Sequence, residues 1–462
     1  MTPLRYTGLR VAIVGLGPSG AYAAAHLLSN AELDVRVDAF ERLPTPWGLV
    51  RAGVAPDHPN IKSVTRVYEN TADHPHFTYF GNVHLGRDLS REDLLARYHA
   101  VIYAVGTPGD RPLGIAGEHL PGSVSASSLV AWYNGHPDHR DDAFNLRCRR
   151  AVVIGNGNVA VDVARMLTLS PADLARTDMA DHAVAALSAS RIEEVVVVGR
   201  RGPEQAAFTH PELRELGQLA GVEIDVDPAE VVVPPAHREL APGKITQRNL
   251  ALLQQYAARP RPDRSRRIAL RFLLSPTRII GEDRVQAVEL VRNRLARDDA
   301  GSLRAEPTSE RAALAAGLIV RAIGYRGEPI PGLPYDERRG IIANTDGRIL
   351  SASGGPGREY VVGWAKRGPS GVIGTNKKCA LQTVRALLQD MVAGRLSVPI
   401  HREPAIEPLL RSRGAQPVAL AGWRTLDLFE QARGRAAKRP RAKLTRVGDM
   451  LGVIEAQRRL SA

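Results

Sequence analysis

Twice in this chain a short apolar run breaks into a glycine pattern and continues as an apolar helix. The first instance is "RVAIVGLGPSGAYAAAHLL" from Arg10; the second is "RRAVVIGNGNVAVDVARML" from Arg149. A strand that feeds a tight glycine turn and then a helix is the start of a βαβ unit. Two such starts in 462 residues imply at least two domains, each built on a parallel sheet with helices over it. The expected fold class is therefore α/β, with two Rossmann-like three-layer dinucleotide-binding domains.

In the first loop Gly15, Gly17 and Gly20 stand in GxGxxG spacing. Gly15 permits the turn, Gly17 admits a pyrophosphate close to the backbone, and Gly20 lets helix and strand pack closely. The next strand, "DVRVDAF", ends at Glu41, an acid placed to accept hydrogen bonds from an adenosine ribose. In the second loop Gly155, Gly157 and Ala160 give GxGxxA. Its following strand, "IEEVVVVG", ends in Arg200-Arg201 after the intervening "SPADLARTDMADHAVAALSAS", which makes the interval longer than usual. Arginine forks suit the dianionic 2′-phosphate of NADP, whereas an acid suits a bare ribose. One chain with two dinucleotide sites is the arrangement of a flavoprotein reductase, in which a flavin relays electrons from a nicotinamide to a second acceptor.

Composition narrows the acceptor chemistry. The two cysteines, Cys148 and Cys379, form no CxxC pair. A dithiol centre is thus unexpected, and four thiolates for an iron–sulfur cluster are not available. No zinc-ligand spacing is visible, and no metal site is expected. Formal net charge is +13, a field that attracts nucleic acid or an acidic protein. No nucleic-acid-binding motif accompanies it. No apolar run approaches the length of a membrane helix and no secretory leader precedes the first strand, so a cytoplasmic protein is expected.

The segments "ERLPTPWGLVRAGVAPDHPNIKSV" from Glu41, "GNGNVAVDVAR", "GRRGPEQAAFTHPELREL" and "GWAKRGPSGVIGTN" together resemble the adrenodoxin-reductase-like ferredoxin–NADP reductases, FprA-type bacterial enzymes among them. The likeness spans nearly the whole chain. It implies an NADP domain inserted in an FAD domain, here 1–107 and 327–462 for FAD and 108–326 for NADP. It further implies Ser19 near the FAD phosphates, Leu49 and Val83 lining the FAD site, Trp364 near the isoalloxazine, and the backbone of Gly371, Val372 and Ile373 facing the flavin. For NADP it implies Asn156, Gly157, Asn158 and Val159 at the pyrophosphate, Arg200 and Arg201 at the 2′-phosphate, and Glu212, with Gly371 near the nicotinamide. His58 and Asp162 match a pair held near the flavin, as positioning groups and a proton route.

The implied activity is that of an FAD-containing NADPH–ferredoxin oxidoreductase: hydride from NADPH to FAD, then single electrons to ferredoxin, an acidic iron–sulfur protein, in a reversible reaction. A basic face would dock that partner, with Arg259, Arg261, Arg264, Arg266, Arg267 and Arg271 and the run "KRPRAK" as candidates. Flavodoxin or a quinone remains open as acceptor. A glutamate-synthase-type small subunit lacks its cluster cysteines here. A nucleic-acid-binding protein is supported by net charge alone.

Overall fold

The computed structural model describes residues 8–30, 33–239, 242–260, 266–350, 356–401 and 403–461. The chain divides into two compact units: residues 1–109 with 325–462, and residues 110–324.

The first unit is built on a sheet whose five parallel strands run, edge to edge, Phe77–Phe80, Val35–Phe40, Leu9–Val14, Ala100–Tyr103 and Pro356–Val361. Two short antiparallel strands, Arg348–Leu350 and Asn344–Thr345, extend the last edge. Alternate residues of the central strand enter opposite cores: Leu9, Val11 and Ile13 on one side, Ala12 and Val14 on the other. Burial on both faces explains why this strand reads as an unbroken apolar run and not as an alternation. Helices Pro18–Leu28 and Ile373–Val392 pack against each other over the first face. The chain after Ile400 is helical at Ile406–Ser412, Leu420–Ala436 and Val447–Ser461. These helices feed Leu410, Trp423, Leu426 and Ile454 into the same cores.

The second unit has six parallel strands in the order Val222–Val226, Arg266–Arg271, Glu194–Val198, Arg150–Ile154, Leu318–Arg321 and Ser123–Ser125. Helices cover one face. The third layer is a β-meander, Leu274–Ile280, Ala287–Arg297 and Leu303–Ala315, whose Ile279, Val288 and Leu290 pack on Val152, Ile154, Val196 and Val198. The insertion that lengthens the interval to Arg200 folds into two short helices, Pro171–Leu174 and Asp181–Ser188. It leaves the pairing of Arg150–Ile154 with Glu194–Val198 intact.

Candidate functional site

The two glycine loops are made the same way. In the first unit the Gly15 N–H donates to Phe40 O at 2.7 Å and the Ala104 N–H to Val14 O at 2.7 Å. In the second the Gly155 N–H donates to Val198 O at 2.8 Å and the Ala322 N–H to Ile154 O at 2.8 Å. Both turning glycines have positive φ, +94° and +129°, and a Cβ on either would lie 2.6 Å from Ala104 O or 2.2 Å from Ala322 O. Only glycine satisfies both constraints. Gly17 and Gly157 are different: each is the residue before its helix, with a Cβ position that meets nothing nearer than 3.8 Å or 3.9 Å. They are the open sides of the two turns. Neither following helix, Pro18–Leu28 or Asn158–Thr168, has a side-chain cap. Their first N–H groups and dipoles therefore face the loop mouth, as an anion requires.

Around the first loop the "PWGL" segment closes in. The Trp47 N–H donates to Leu16 O at 2.8 Å. Trp47 itself has φ of 79°, a strained conformation for a tryptophan, and Gly48 then lies against Gly17. Glu41 Oε2 accepts the Leu16 N–H at 2.9 Å and Oε1 accepts the Leu43 N–H at 3.3 Å. Burial raises its carboxyl above the ordinary range, with those N–H groups opposing. Val83 is buried, and its N–H donates to Glu41 O at 2.9 Å, whereas Leu49 is 40% exposed. Ser19 donates to Asn376 Oδ1 at 3.0 Å, which ties the start of the loop helix to the helix beginning at Ile373. Gly371 is held at φ +79° against Thr375, whose Oγ1 accepts the Val372 N–H at 3.1 Å. Gly371 and Val372 are exposed, Ile373 partly so. Trp364 opens a helical turn beside Tyr325, ring centroids 5.4 Å apart. Its Nε1 and the Thr107 Oγ1 are enclosed without a hydrogen-bond partner. An open glycine cradle and unsatisfied buried donors are what a flavin nucleotide would meet.

In the second unit the loop is sewn to residues 207–209. The Ala207 N–H donates to Asn156 O at 3.0 Å and the Thr209 N–H to Asn158 Oδ1 at 2.8 Å. Val159 follows in the first turn of the helix. Arg200 and Arg201 leave the strand end next to this seam. Neither guanidinium has an ion pair among the described residues, though the Arg200 carbonyl accepts from Asn293 Nδ2 at 2.8 Å. Glu212 sits in the first turn of helix His210–Leu216, and its Oε2 is enclosed with no partner.

His58 and Asp162 belong to different units. The carboxylate facing the His58 ring within its own unit is Asp57, at 3.9 Å. Asp162 accepts from Arg165 at 3.0 Å, and Arg165 also lies 3.6 Å from Glu215. The basic stretch is more committed than its composition suggests. Arg266 donates to Thr168 O at 3.0 Å, Arg267 pairs with Glu194, Arg271 pairs with Glu230 at 2.8 Å, and Arg259 lies over the Tyr256 ring. Arg261 and Arg264 fall outside the described residues. In "KRPRAK", Arg441 is bound by Asp427 and Glu430, and Lys443 donates to Arg51 O at 3.2 Å.

Paired glycine loops, one in each of two units of an interleaved chain, define a two-dinucleotide protein of the flavoprotein reductase class. Residues 12–100 match the family described as FAD-NAD(P)-binding. Over 453 residues the chain is 49% identical to NADPH-ferredoxin reductase FprA of Mycobacterium tuberculosis (strain ATCC 25618 / H37Rv), covering 96% of this chain and 98% of that protein. The protein of the same name from Mycobacterium leprae (strain TN) is 48% identical over 449 residues, with the same coverage. The solved structure of Mycobacterium tuberculosis FprA in complex with NADPH superposes with a TM-score of 0.92 at 47% identity, covering 97% of this chain and 99% of the other. The chain belongs to the NADPH–ferredoxin reductase family.

Proposed function

We propose that the protein is an FAD-containing NADPH–ferredoxin reductase, with FAD held by the first unit and NADPH by the second. The observation that carries the assignment is the difference between two otherwise equivalent loops. One following strand ends in Glu41, which suits a ribose, and the other in two arginines without ion pairs among the described residues, which suit a phosphate. FAD, when bound, supplies the ability to take electrons in pairs and release them singly.

The chain's residues provide the rest. Gly15, Gly17, Gly20 and Ser19 present the helix start to the flavin diphosphate, and Glu41 orders the loop and meets the ribose. Leu49, Val83 and Trp364 line the flavin, and the backbone of Gly371, Val372 and Ile373 turns a positive helix end toward the ring. That end favours negative charge there. In the second unit Gly155, Asn156, Gly157, Asn158 and Val159 receive the NADPH diphosphate. Arg200 and Arg201 grip the 2′-phosphate, and Glu212 accepts from a hydroxyl or the carboxamide. His58 and Asp162 position these groups and offer a path for a proton. The electron partner is an acidic iron–sulfur ferredoxin, met in the cytoplasm. Among the described residues no helix is long and apolar enough to cross a membrane.

The test is an anaerobic titration. The purified protein shows oxidised-flavin absorbance at about 450 nm; NADPH bleaches it and added ferredoxin restores it. Absence of the band sinks the FAD assignment. Bleaching that only a quinone or flavodoxin reverses moves the acceptor away from ferredoxin.

A further inference from the structure

Several part-buried arginines of the first unit are matched to carboxylates. Arg51 lies on Glu430 at 2.7 Å, Arg91 on Glu359 at 2.5 Å, and Arg348 on Asp390 at 2.8 Å. Arg358 instead donates to a carbonyl, Tyr98 O at 3.2 Å, and Arg367 is the least satisfied. Its Nη2 donates to Asn376 Oδ1 at 3.1 Å, a neutral acceptor, while its Nε and Nη1 are enclosed with no hydrogen-bond partner. Among the described residues it is the one arginine with two such nitrogens. Burial holds its guanidinium below the ordinary range, and the opposing neighbour is the Cys379 thiol, not an acid. The adjacent cation does not explain it: Lys366 Nζ is taken up by Gln382 at 2.9 Å and Thr383 at 3.1 Å. An enclosed cation without a counter-charge is costly to keep.

Its location gives the missing anion a chemical class. Asn376 Oδ1, which holds Arg367, also accepts from Ser19 Oγ. Ser19 is the second residue of the helix that follows the first glycine loop. Gly363, three residues after Tyr360 in the same segment, packs so tightly on Ser19 that a Cβ would lie 2.0 Å from Ser19 Oγ. The guanidinium is thus bound into the same hydrogen-bonded cluster as the helix end that favours a phosphate.

We infer that Arg367 is a binding residue for the diphosphate of the dinucleotide held by the first unit, which supplies the counter-charge that no described side chain supplies. This rests on the proposal that the first unit binds FAD. When the diphosphate is in place, Nε and Nη1 gain charged acceptors, and the enclosed cation is neutralised.

Full-length protein stripped of flavin and titrated with FAD or with riboflavin, which has no phosphates, tests it. Arg367→Gln weakens FAD binding about tenfold or more and leaves the riboflavin affinity unchanged; Arg367→Lys falls between. In the same preparations Arg367→Gln leaves the flavin-free melting temperature equal or higher, because an uncompensated charge has gone, and shrinks the rise that FAD produces. A merely structural arginine would lower the flavin-free melting temperature. Unchanged FAD affinity, parallel loss of FAD and riboflavin, or a lowered flavin-free melting temperature with both variants overturns the inference. If the unsubstituted protein binds no FAD, the assignment of the unit falls and this inference with it; if it binds FAD and the variants match it, this inference falls alone.

Discussion

Arg200 and Arg201 stand at the end of a strand whose neighbours treat arginine differently. Arg150 and Arg267, one strand away on either side, share the Glu194 carboxylate. A carboxylate partner at Arg200 or Arg201 would have to be displaced before a phosphate could bind, and none is present among the described residues. Replacing both with alanine should raise the NADPH KM by about tenfold to hundredfold and leave the NADH KM nearly unchanged. Steady-state kinetics with the two nucleotides checks this, and equal effects would remove the arginines from the 2′-phosphate. The placement of these two residues just past a strand end was legible in the sequence, because the apolar run before them stops at Gly199. The partners of Arg266, Arg267 and Arg271 were not, since an arginine codes for a charge but not for the carbonyl or acid it meets. Glu194 and Glu230 lie tens of residues from Arg267 and Arg271, the two cations of that run that they pair with.

The strand–loop–helix elements were the most readable part of the fold, because their requirements are local. A positive φ with a carbonyl at 2.2 Å from any Cβ leaves Gly155 no alternative, whereas Gly157, at φ −96°, tolerates a side chain and faces only the open mouth. The two glycines of one motif should therefore fail differently. Gly155→Ala destabilises by about 2–4 kcal/mol from backbone strain and clash, seen as a lowered melting temperature. Gly157→Ala keeps the melting temperature and loses NADPH affinity, measured by titration, because a methyl group now occupies the approach of the pyrophosphate. The meander over the second sheet and the Asn158–Thr209 seam escaped the sequence. Both depend on which distant segment covers a face, and periodicity reports only that a face is covered.

Across the whole first unit, the last helices hold the first loops. Glu430 is wholly buried and takes Arg51 through two hydrogen bonds of 2.7 and 2.8 Å, Arg441 at 2.9 Å and the Leu444 N–H at 2.8 Å. Arg51 belongs to the short helix after Gly48 and stacks over Trp423, whose Nε1 donates to Glu69 at 3.0 Å. Burial pushes the Glu430 carboxyl up, but Arg51, Arg441 and the Leu444 N–H outweigh it and hold it below the ordinary range. A lowered folded-state pKa gives stability that is full above the unfolded value of about 4.3 and is lost as pH falls through the lower folded value. Glu430→Gln should flatten that acid limb in pH-dependent melting, and Glu430→Ala should cost about 3–5 kcal/mol by stranding two arginines. An acid limb identical in both proteins would assign it to other carboxylates. No spacing rule anticipates such a pairing, because Arg51 and Glu430 meet only after the chain has folded back on itself. The order of assembly follows from the same interleaving. Strand Pro356–Val361 completes the parallel sheet beside Ala100–Tyr103, yet the entire second unit is encoded between them. During synthesis the inner unit is therefore complete while the outer one still lacks this strand and its clamp, so on the ribosome the unit encoded in the middle of the chain can mature before the unit that begins it.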